Sequence, residues 1–140
     1  EKLIDSKDKQ LSAIAQKAIK ETNYHLRHSS KWIIRLGDGT PESHSKVQLA
    51  INNLWIFTEE LFEMGTNDVE MLKQQIGVDC KELKMKWDEI VNNIFIQATI
   101  SKPKNNYMIK GGRIGIHTEH LGHLLSDMQY LQRAYPDAKW

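Results

Sequence analysis

The sequence RLGDGTP at residues 35–41 separates two long helical patterns. Glycine readily takes the left-handed conformation that ends many helices, so a first helix is predicted to stop at Gly37 or Gly39. Thr40 can then cap a second helix, and Pro41 suits its first turn because no backbone donor is needed there. The two helices are therefore predicted to form a hairpin with a tight turn.

Both arms of this hairpin carry apolar or small residues at the spacing of one helical face. From Asp8 onwards the first stripe is Leu11, Ala15, Ala18, Thr22, Leu26, Ile33 and Leu36. The second stripe is Val47, Ala50, Ile51, Leu54, Thr58, Leu61 and Phe62, with Gly65 as a stop. We expect one helix through each stripe. We also expect Leu54 to be buried, so that Leu54→Ala would cost roughly 2–5 kcal/mol.

Three more helices are predicted after the hairpin. A short one covers residues 67–75 and ends before Gly77. The next follows the stripe Leu83, Trp87, Ile90, Val91, Ile94 and Ala98. Residues 101–115 show no period and include a glycine-rich run, so they are predicted to form a loop. Thr118 is predicted to cap a last helix that ends at Pro136. Its apolar face is Leu121, Leu124, Leu125, Met128, Leu131 and Tyr135.

Length and composition narrow the class of protein. The 140 residues fit one all-α domain, 1–140. Lysine and arginine number 19 against 18 acidic residues, and a formal charge of +1 gives no basic field for a nucleic acid. The longest apolar run, residues 54–57, is far below the roughly 20 residues that span a bilayer, so no membrane segment is expected. One cysteine and no charged-then-apolar leader favour a cytoplasmic location.

Histidines are the most suggestive residues for chemistry, because five of the six fall in two clusters. His25 and His28 lie on the first helix, whereas His117, His120 and His123 recur at three-residue intervals at the start of the last one. Such spacing can place ligands on adjacent helical turns, so a metal is chemically conceivable. The second cluster nevertheless misses the H-E-x-x-H and H-x-x-E-H patterns of zinc peptidases. A hydrogen-bonded helix start is the favoured interpretation, and a metal site the alternative.

A di-iron centre of the ferritin type requires a more specific motif than a zinc site, namely Glu-x-x-His from each of two helices. No histidine in this sequence has an acidic residue three places earlier. Thr22 stands three before His25, and Glu21 stands four before it. Thr22 and His25 therefore look like degenerate di-iron positions. We expect no catalytic residue, no metal ligand and no bound cofactor in this chain.

Several longer motifs make the chain recognisable. They are AIKETNYHLRHS at 18–29, RLGDGT at 35–40, GGR at 111–113, HTEHLG at 117–122 and MQYLQR at 128–133. These motifs resemble the phenylacetic acid catabolic family, and within it the C-type subunits of ring-1,2-phenylacetyl-CoA epoxidases. The resemblance runs through nearly the whole chain and corresponds to the C-terminal half of the longer family members.

The resemblance implies a ferritin-like helical bundle, of which this chain is the C-terminal half. It also implies a non-catalytic structural subunit of a multicomponent oxygenase in aerobic phenylacetate breakdown. Such a subunit binds and stabilises a di-iron catalytic A-type subunit, within homo- and hetero-oligomers. In that catalytic relative a glutamate stands at the position of Thr22, before the histidine matched by His25. Two other functions stay open: a di-iron oxygenase in its own right, and a small metal-binding module built on His117, His120 and His123.

The resemblance to half of a bundle has one energetic implication. Helices cut from a four-helix bundle leave their inner apolar stripes in water, at about 25 cal/mol for each Å². We therefore expect those stripes to be covered, either by the N-terminal half that family members possess or by a second copy of this chain.

Overall fold

The computed structural model describes residues 1–104 and 107–139. Within these ranges there is no strand, and the predicted all-α class is confirmed. The five α-helices are α1 (Lys9–Gly37), α2 (Pro41–Leu54), α3 (Thr66–Lys73), α4 (Cys80–Gln97) and α5 (His120–Ala134). Short 3-10 helices occupy Lys2–Asp5, Trp55–Phe57, Glu59–Phe62 and Gly112–Ile114. The predicted loop at 101–115 contains that last 3-10 turn, and its residues 105 and 106 lie outside the described residues.

The chain forms two compact units, Glu1–Ile109 and Lys110–Trp140. The first unit holds α1 to α4, and the second holds α5. The expectation of one domain over 1–140 stays a prediction.

Helix α1 is held at its ends and exposed along its middle. Asp8 caps it by accepting hydrogen bonds from the backbone N–H groups of Gln10 and Leu11. Ser12 is buried, and its hydroxyl donates to the carbonyl of Ile4 at 2.6 Å. From residue 20 to residue 29 every residue is exposed. This middle stretch is therefore a helix surrounded by water rather than by packed neighbours.

The cap predicted for α2 is confirmed. The Thr40 hydroxyl accepts from the backbone N–H of Ser43 at 3.2 Å, and the Ser43 hydroxyl accepts from the N–H of Thr40 at 3.0 Å. This reciprocal pair satisfies donors that the helix itself cannot, and Pro41 follows at the first helical position. The chain thus begins a new helix directly after the turn.

The prediction of a left-handed glycine at the turn is wrong. The glycines with positive φ in the described residues are Gly111 and Gly115, while Gly37 is the last residue of α1. Side chains of α2 satisfy the final carbonyls instead. The Ser43 hydroxyl donates to the carbonyl of Leu36, and Nδ1 of His44 lies 2.7 Å from the carbonyl of Gly37. A left-handed glycine would have let backbone N–H groups bond these carbonyls. The side chains of Ser43 and His44 bond them instead, so no left-handed residue is needed.

Gly37 is required for a different reason, which is close packing. Ala98, directly after α4, is fully buried against it. A Cβ atom added to Gly37 would lie 2.4 Å from the Ala98 carbonyl oxygen and 2.9 Å from the Ala98 Cβ. The next residue, Thr99, has a positive φ of 54° and its hydroxyl donates to the Gly37 carbonyl at 3.3 Å. The C-terminal ends of α1 and α4 therefore meet backbone to backbone.

The second predicted helix is wrong beyond Leu54, where α2 ends and two 3-10 turns follow. The Trp55 carbonyl accepts from both the N–H and the hydroxyl of Thr58, at 3.0 and 2.8 Å. The Ile56 carbonyl accepts from the N–H of Ile109 at 2.9 Å, far along the chain. Neither hydrogen bond of these carbonyls follows the α-helical pattern, in which a carbonyl accepts from the N–H four residues later. The α-helix therefore ends at Leu54.

The remaining helices agree with the sequence apart from one cap. Helices α3 and α4 follow their predicted stretches, and Asp79 caps α4 by accepting from the N–H of Lys81 at 2.8 Å. The cap predicted at Thr118 is wrong, because α5 begins at His120 and Glu119 takes the cap position without a side-chain hydrogen bond. In the described ranges, none of the helices is long and apolar enough to cross a bilayer.

Candidate functional site

The degenerate di-iron positions lie on the exposed middle of α1. The Thr22 hydroxyl donates to the carbonyl of Ala18 at 2.9 Å, one turn back in its own helix. The His25 side chain is 66% exposed, and its Nε2 lies 3.7 Å from a carboxylate oxygen of Glu21. His25 and Glu21 do not fit a di-iron centre, which takes four glutamates and two histidines. Across residues 1–104 and 107–139, no three histidine, cysteine or acidic side chains converge as metal ligands.

The second histidine cluster belongs to the unit that contains α5. His117 precedes the helix, His120 is its first residue, and His123 follows one turn later. Spacing alone made them a candidate for metal binding. In the described part of the chain they are not gathered into a group that could hold a metal.

An apolar groove is a feature that the sequence did not reveal. It has a volume of about 350 Å³ and lies where α2, α4 and the 3-10 turn between them face Ile33 of α1. All but one of its lining residues are apolar. They are Ile33, Val47, Ala50, Ile51, Leu54, Trp55, Thr58, Trp87, Val91 and Phe95. The groove is thus a surface for apolar atoms, with one hydroxyl at its edge.

Three aromatic side chains, Trp55, Trp87 and Phe95, line this groove and form its aromatic wall, and the ring of Phe62 packs against Trp87. The rings of Trp55 and Trp87 have centroids 5.7 Å apart, and Phe95 lies at the same distance from Trp55. Phe62 meets Trp87 edge to face at 5.3 Å and is 8% exposed. These contacts are in the range of favourable aromatic pairs, and they fix the 3-10 turns onto α4.

A charged network lies above the aromatic wall. Asp88 accepts hydrogen bonds from Lys84 at 2.9 Å and from Lys102 at 3.1 Å. The ammonium of Lys84 lies 5.3 Å from the centre of the Phe62 ring, and that of Lys102 lies 5.3 Å from the Trp55 ring. The hydrogen bond from Lys84, helped by Lys102, lowers the pKa of Asp88 below its ordinary value. One carboxylate thus holds two cations over two aromatic faces.

Replacing Asp88 with asparagine is expected to lower the free energy of unfolding at neutral pH by about 0.5–1 kcal/mol, because solvent screens ion pairs this exposed. The folded-state pKa of Asp88 is lowered, so its contribution is present above about pH 5 and lost as the pH falls through that pKa. Melting temperatures of the wild type and Asp88→Asn should differ near neutrality and converge as the pH falls below the folded-state pKa of Asp88.

Thermal melts followed by circular dichroism would measure this convergence. Glu89→Gln is a matched control, since Glu89 is an exposed neighbour that forms no ion pair with the described residues. A melting difference for Asp88→Asn that is unchanged at acid pH would contradict the assignment.

The described chain leaves an unusually large area in water. Its accessible surface is 11141 Å². A compact protein of this mass exposes about 7,500 Å², and two separate compact units of these lengths expose roughly 8,700 Å². Leu54, expected in the core, is 63% exposed, so that expectation is wrong. Ala98 and Ile100 are among the few fully packed apolar residues.

Part of this site was readable from the sequence. Trp87, Val91 and Phe95 stand four residues apart, which places them on one face of α4. The network at Asp88 was not readable, because Lys102 lies beyond the helix and is brought close only by the fold. The groove itself depends on the break after Leu54, which helical periodicity does not predict.

Comparisons with known proteins show the family of this chain. A family model described as phenylacetic acid catabolic protein matches residues 1–140. The chain is similar to the C-type subunit of 1,2-phenylacetyl-CoA epoxidase from Escherichia coli (strain K12), with 46% identity over 139 residues. That alignment covers 99% of this chain and 56% of the relative, so the chain spans about half of the relative's length.

Proposed function

Since this chain belongs to the phenylacetic acid catabolic protein family, we propose that it is part of a non-catalytic subunit of a phenylacetyl-CoA epoxidase. In this proposal the subunit binds a di-iron catalytic A-type subunit, stabilises it, and works in the cytoplasm within a hetero-oligomer. The observation that carries the proposal is the 46% identity, over nearly the whole chain, to the C-type subunit of such an enzyme.

The donor residues of α1 support a non-catalytic role. Thr22 offers a hydroxyl where a di-iron helix needs a carboxylate, and that hydroxyl is already bonded to Ala18. Glu21 lies one position away and reaches His25 along the helix surface. These residues of α1 therefore favour a subunit without an oxygen-activating centre.

The exposed apolar area supports a role in an assembly. Apolar surface contributes about 25 cal/mol for each Å² removed from water, so a groove lined by Ile51, Leu54 and Trp55 favours contact with further polypeptide. Contacts of this kind are insensitive to moderate salt, since no charge pair has to form.

The test is reconstitution of the epoxidase from separately purified subunits. We expect no oxygen-dependent conversion of phenylacetyl-CoA by this subunit alone, and conversion when the catalytic subunit is added. Binding to a folded partner stabilises it by mass action, so the melting temperature of the catalytic subunit should rise with the concentration of this one. Turnover by this subunit alone, or no association with the catalytic subunit, would overturn the proposal.

Metal analysis of the purified subunit separates the two alternatives. About two iron atoms per chain would favour a di-iron oxygenase in its own right. Zinc that is lost in His120→Ala/His123→Ala but retained in His25→Ala would favour the module built on His117, His120 and His123. Neither metal at a stoichiometric level is the result expected from the proposal.

A further inference from the structure

Charge is distributed very unevenly along this nearly neutral chain. Helix α1 carries six lysines and arginines and one glutamate, a formal charge of +5, while the whole chain is +1 and the other residues therefore sum to −4. All six basic residues are exposed, and they are Lys9, Lys17, Lys20, Arg27, Lys31 and Arg35. At about 100° per residue they lie within an arc of about 80°. One side of α1 is thus strongly basic.

This basic arc is separate from the packed side of the helix and from the apolar groove. Ile19, Ile33 and Gly37 are buried or half-buried and lie on the opposite half of the helical wheel. Ile33 lines the groove, and none of the six basic residues does. A molecule that binds the arc therefore uses a different surface from one that fills the groove.

The cations of the arc are not neutralised within the described part of the chain. Across residues 1–104 and 107–139 none of the six forms an ion pair with a carboxylate. The acidic residue of α1, Glu21, lies against His25 instead. Lysines outside α1 do pair with carboxylates, namely Lys2, Lys46, Lys73, Lys84, Lys86 and Lys102. The basic arc is therefore available to carboxylates of another molecule.

Exposed aromatic rings lie beside these cations. His28 stacks on Tyr24 at 5.8 Å and meets Trp32 edge to face at 6.4 Å, in a row along the helix. The guanidinium of Arg27 lies 5.7 Å from the centre of the Tyr24 ring, and that of Arg35 lies 5.4 Å from the centre of the Trp32 ring. Both guanidinium groups are thus held in place on the helix surface, so less side-chain freedom is lost when a partner binds them.

The residue types of this surface are those of a protein interface. Tyr24 is 52% exposed and Trp32 is 46% exposed, although both are large rings. Tyrosine, tryptophan and arginine are the residues that most often dominate protein–protein binding energy. From Lys20 to Arg35 the surface runs about 22 Å along the helix axis. That length suits an interface of ordinary size, to which each partner contributes about 800 Å².

Small anions and nucleic acids fit this surface less well than a folded protein does. Small ligands bind in concave sites that enclose them, whereas the outside of a helix is convex. A nucleic acid carries its negative charge far beyond a single helix, and the residues outside α1, which sum to −4, would repel it. The chemistry that remains is a protein surface rich in carboxylates.

We infer that the basic aromatic side of α1, between Lys20 and Arg35, docks on an acidic face of the catalytic A-type subunit, an inference that rests on the proposed function. Opposite charges steer the two proteins together and set their orientation. Tyr24 and Trp32, each with its guanidinium, supply the apolar centre of the contact. The contact at α1 needs charge pairs and a contact in the groove needs none, so salt distinguishes the two surfaces.

The experiment measures association and dissociation rates of the purified catalytic subunit on this subunit by surface plasmon resonance. Arg27→Glu/Arg35→Glu should raise the dissociation constant at least about tenfold, mainly through slower association. Arg27→Lys/Arg35→Lys keeps both charges but loses the planar guanidinium contacts, so it should associate at the wild-type rate and dissociate faster. Circular dichroism should show equal helix content in all three proteins, because both positions are exposed.

Salt and a charge-matched control complete the test. The wild-type dissociation constant should rise at least about tenfold between about 0.05 M and 0.5 M sodium chloride. Lys81→Glu/Arg133→Glu changes the net charge equally, off α1, and should leave the dissociation constant within about a factor of two.

The outcomes separate this inference from the proposed function. A wild type that does not bind the catalytic subunit would overturn both. The inference alone is overturned if the wild type binds and Arg27→Glu/Arg35→Glu binds equally well, or if Lys81→Glu/Arg133→Glu weakens binding to the same extent. Tighter binding of the wild type to a short DNA duplex than to the catalytic subunit would also overturn it, in favour of a nucleic-acid surface.

Discussion

Replacing Gly37 with alanine is expected to lower the free energy of unfolding by about 3 kcal/mol. The new methyl group would lie 2.4 Å from the Ala98 carbonyl oxygen, which is backbone and cannot rotate away. Relieving that clash requires the ends of α1 and α4 to separate, and Ala98 is the most buried residue of this contact. Urea unfolding followed by tryptophan fluorescence would measure the loss.

Gly65→Ala is the matched control for this substitution. A Cβ on Gly65 would have Asp68 Oδ2 as its nearest neighbour, at an ordinary 3.5 Å, and the backbone there has a φ of −80°. Its effect should be within about 1 kcal/mol. If Gly37→Ala were as mild as Gly65→Ala, the backbone contact between α1 and α4 would not exist in solution.

Phe62→Ala is expected to lower the free energy of unfolding by about 3–4 kcal/mol. Phe62 is 8% exposed and lies edge to face against Trp87, so its removal leaves a cavity beside the aromatic wall. It also removes the ring over which Lys84 lies. Calorimetry together with urea unfolding would measure the effect.

The neighbouring residue provides the control for Phe62. Leu61 is adjacent in sequence, comparably apolar and 57% exposed, so Leu61→Ala should change the stability by about 0.5 kcal/mol or less. The sequence stripe treats the two residues alike, since both fit the same helical face. Equal costs would favour that continuous helix over the observed 3-10 turns.

Local signals explain what could be predicted from the sequence. The cap at Thr40, the proline after it and the apolar periods of α1 and α4 depend on residues close together in the sequence, and each is found in the fold. Asp8 and Asp79 cap their helices for the same reason. The Thr40 cap and the apolar periods placed α1, the start of α2 and α4, and the predicted all-α class is confirmed.

Contacts between distant residues explain what could not be predicted. The helix break after Leu54 depends on Ile109, and the need for glycine at 37 depends on Ala98. The exposure of Leu54 follows from that break and from the area left uncovered. The candidate site also has local and long-range features. The spacing of the aromatic residues on α4 can be read from the sequence, whereas the contact of Lys102 with Asp88 cannot.

The exposed middle of α1 has a consequence for motion. Its ten residues from 20 to 29 are anchored only through the helix on either side, and isolated helices shorter than about 12–15 residues are marginal in water. The hydroxyls of Ser29 and Ser30 also bond to carbonyls one turn back, which tends to bend a helix. Amide hydrogens in this stretch should therefore exchange with solvent through local opening, well below the free energy of global unfolding. Helix α1 therefore has two stable ends and a less stable middle that opens locally. A partner that covers residues 20–29 in an assembly should slow amide hydrogen exchange there.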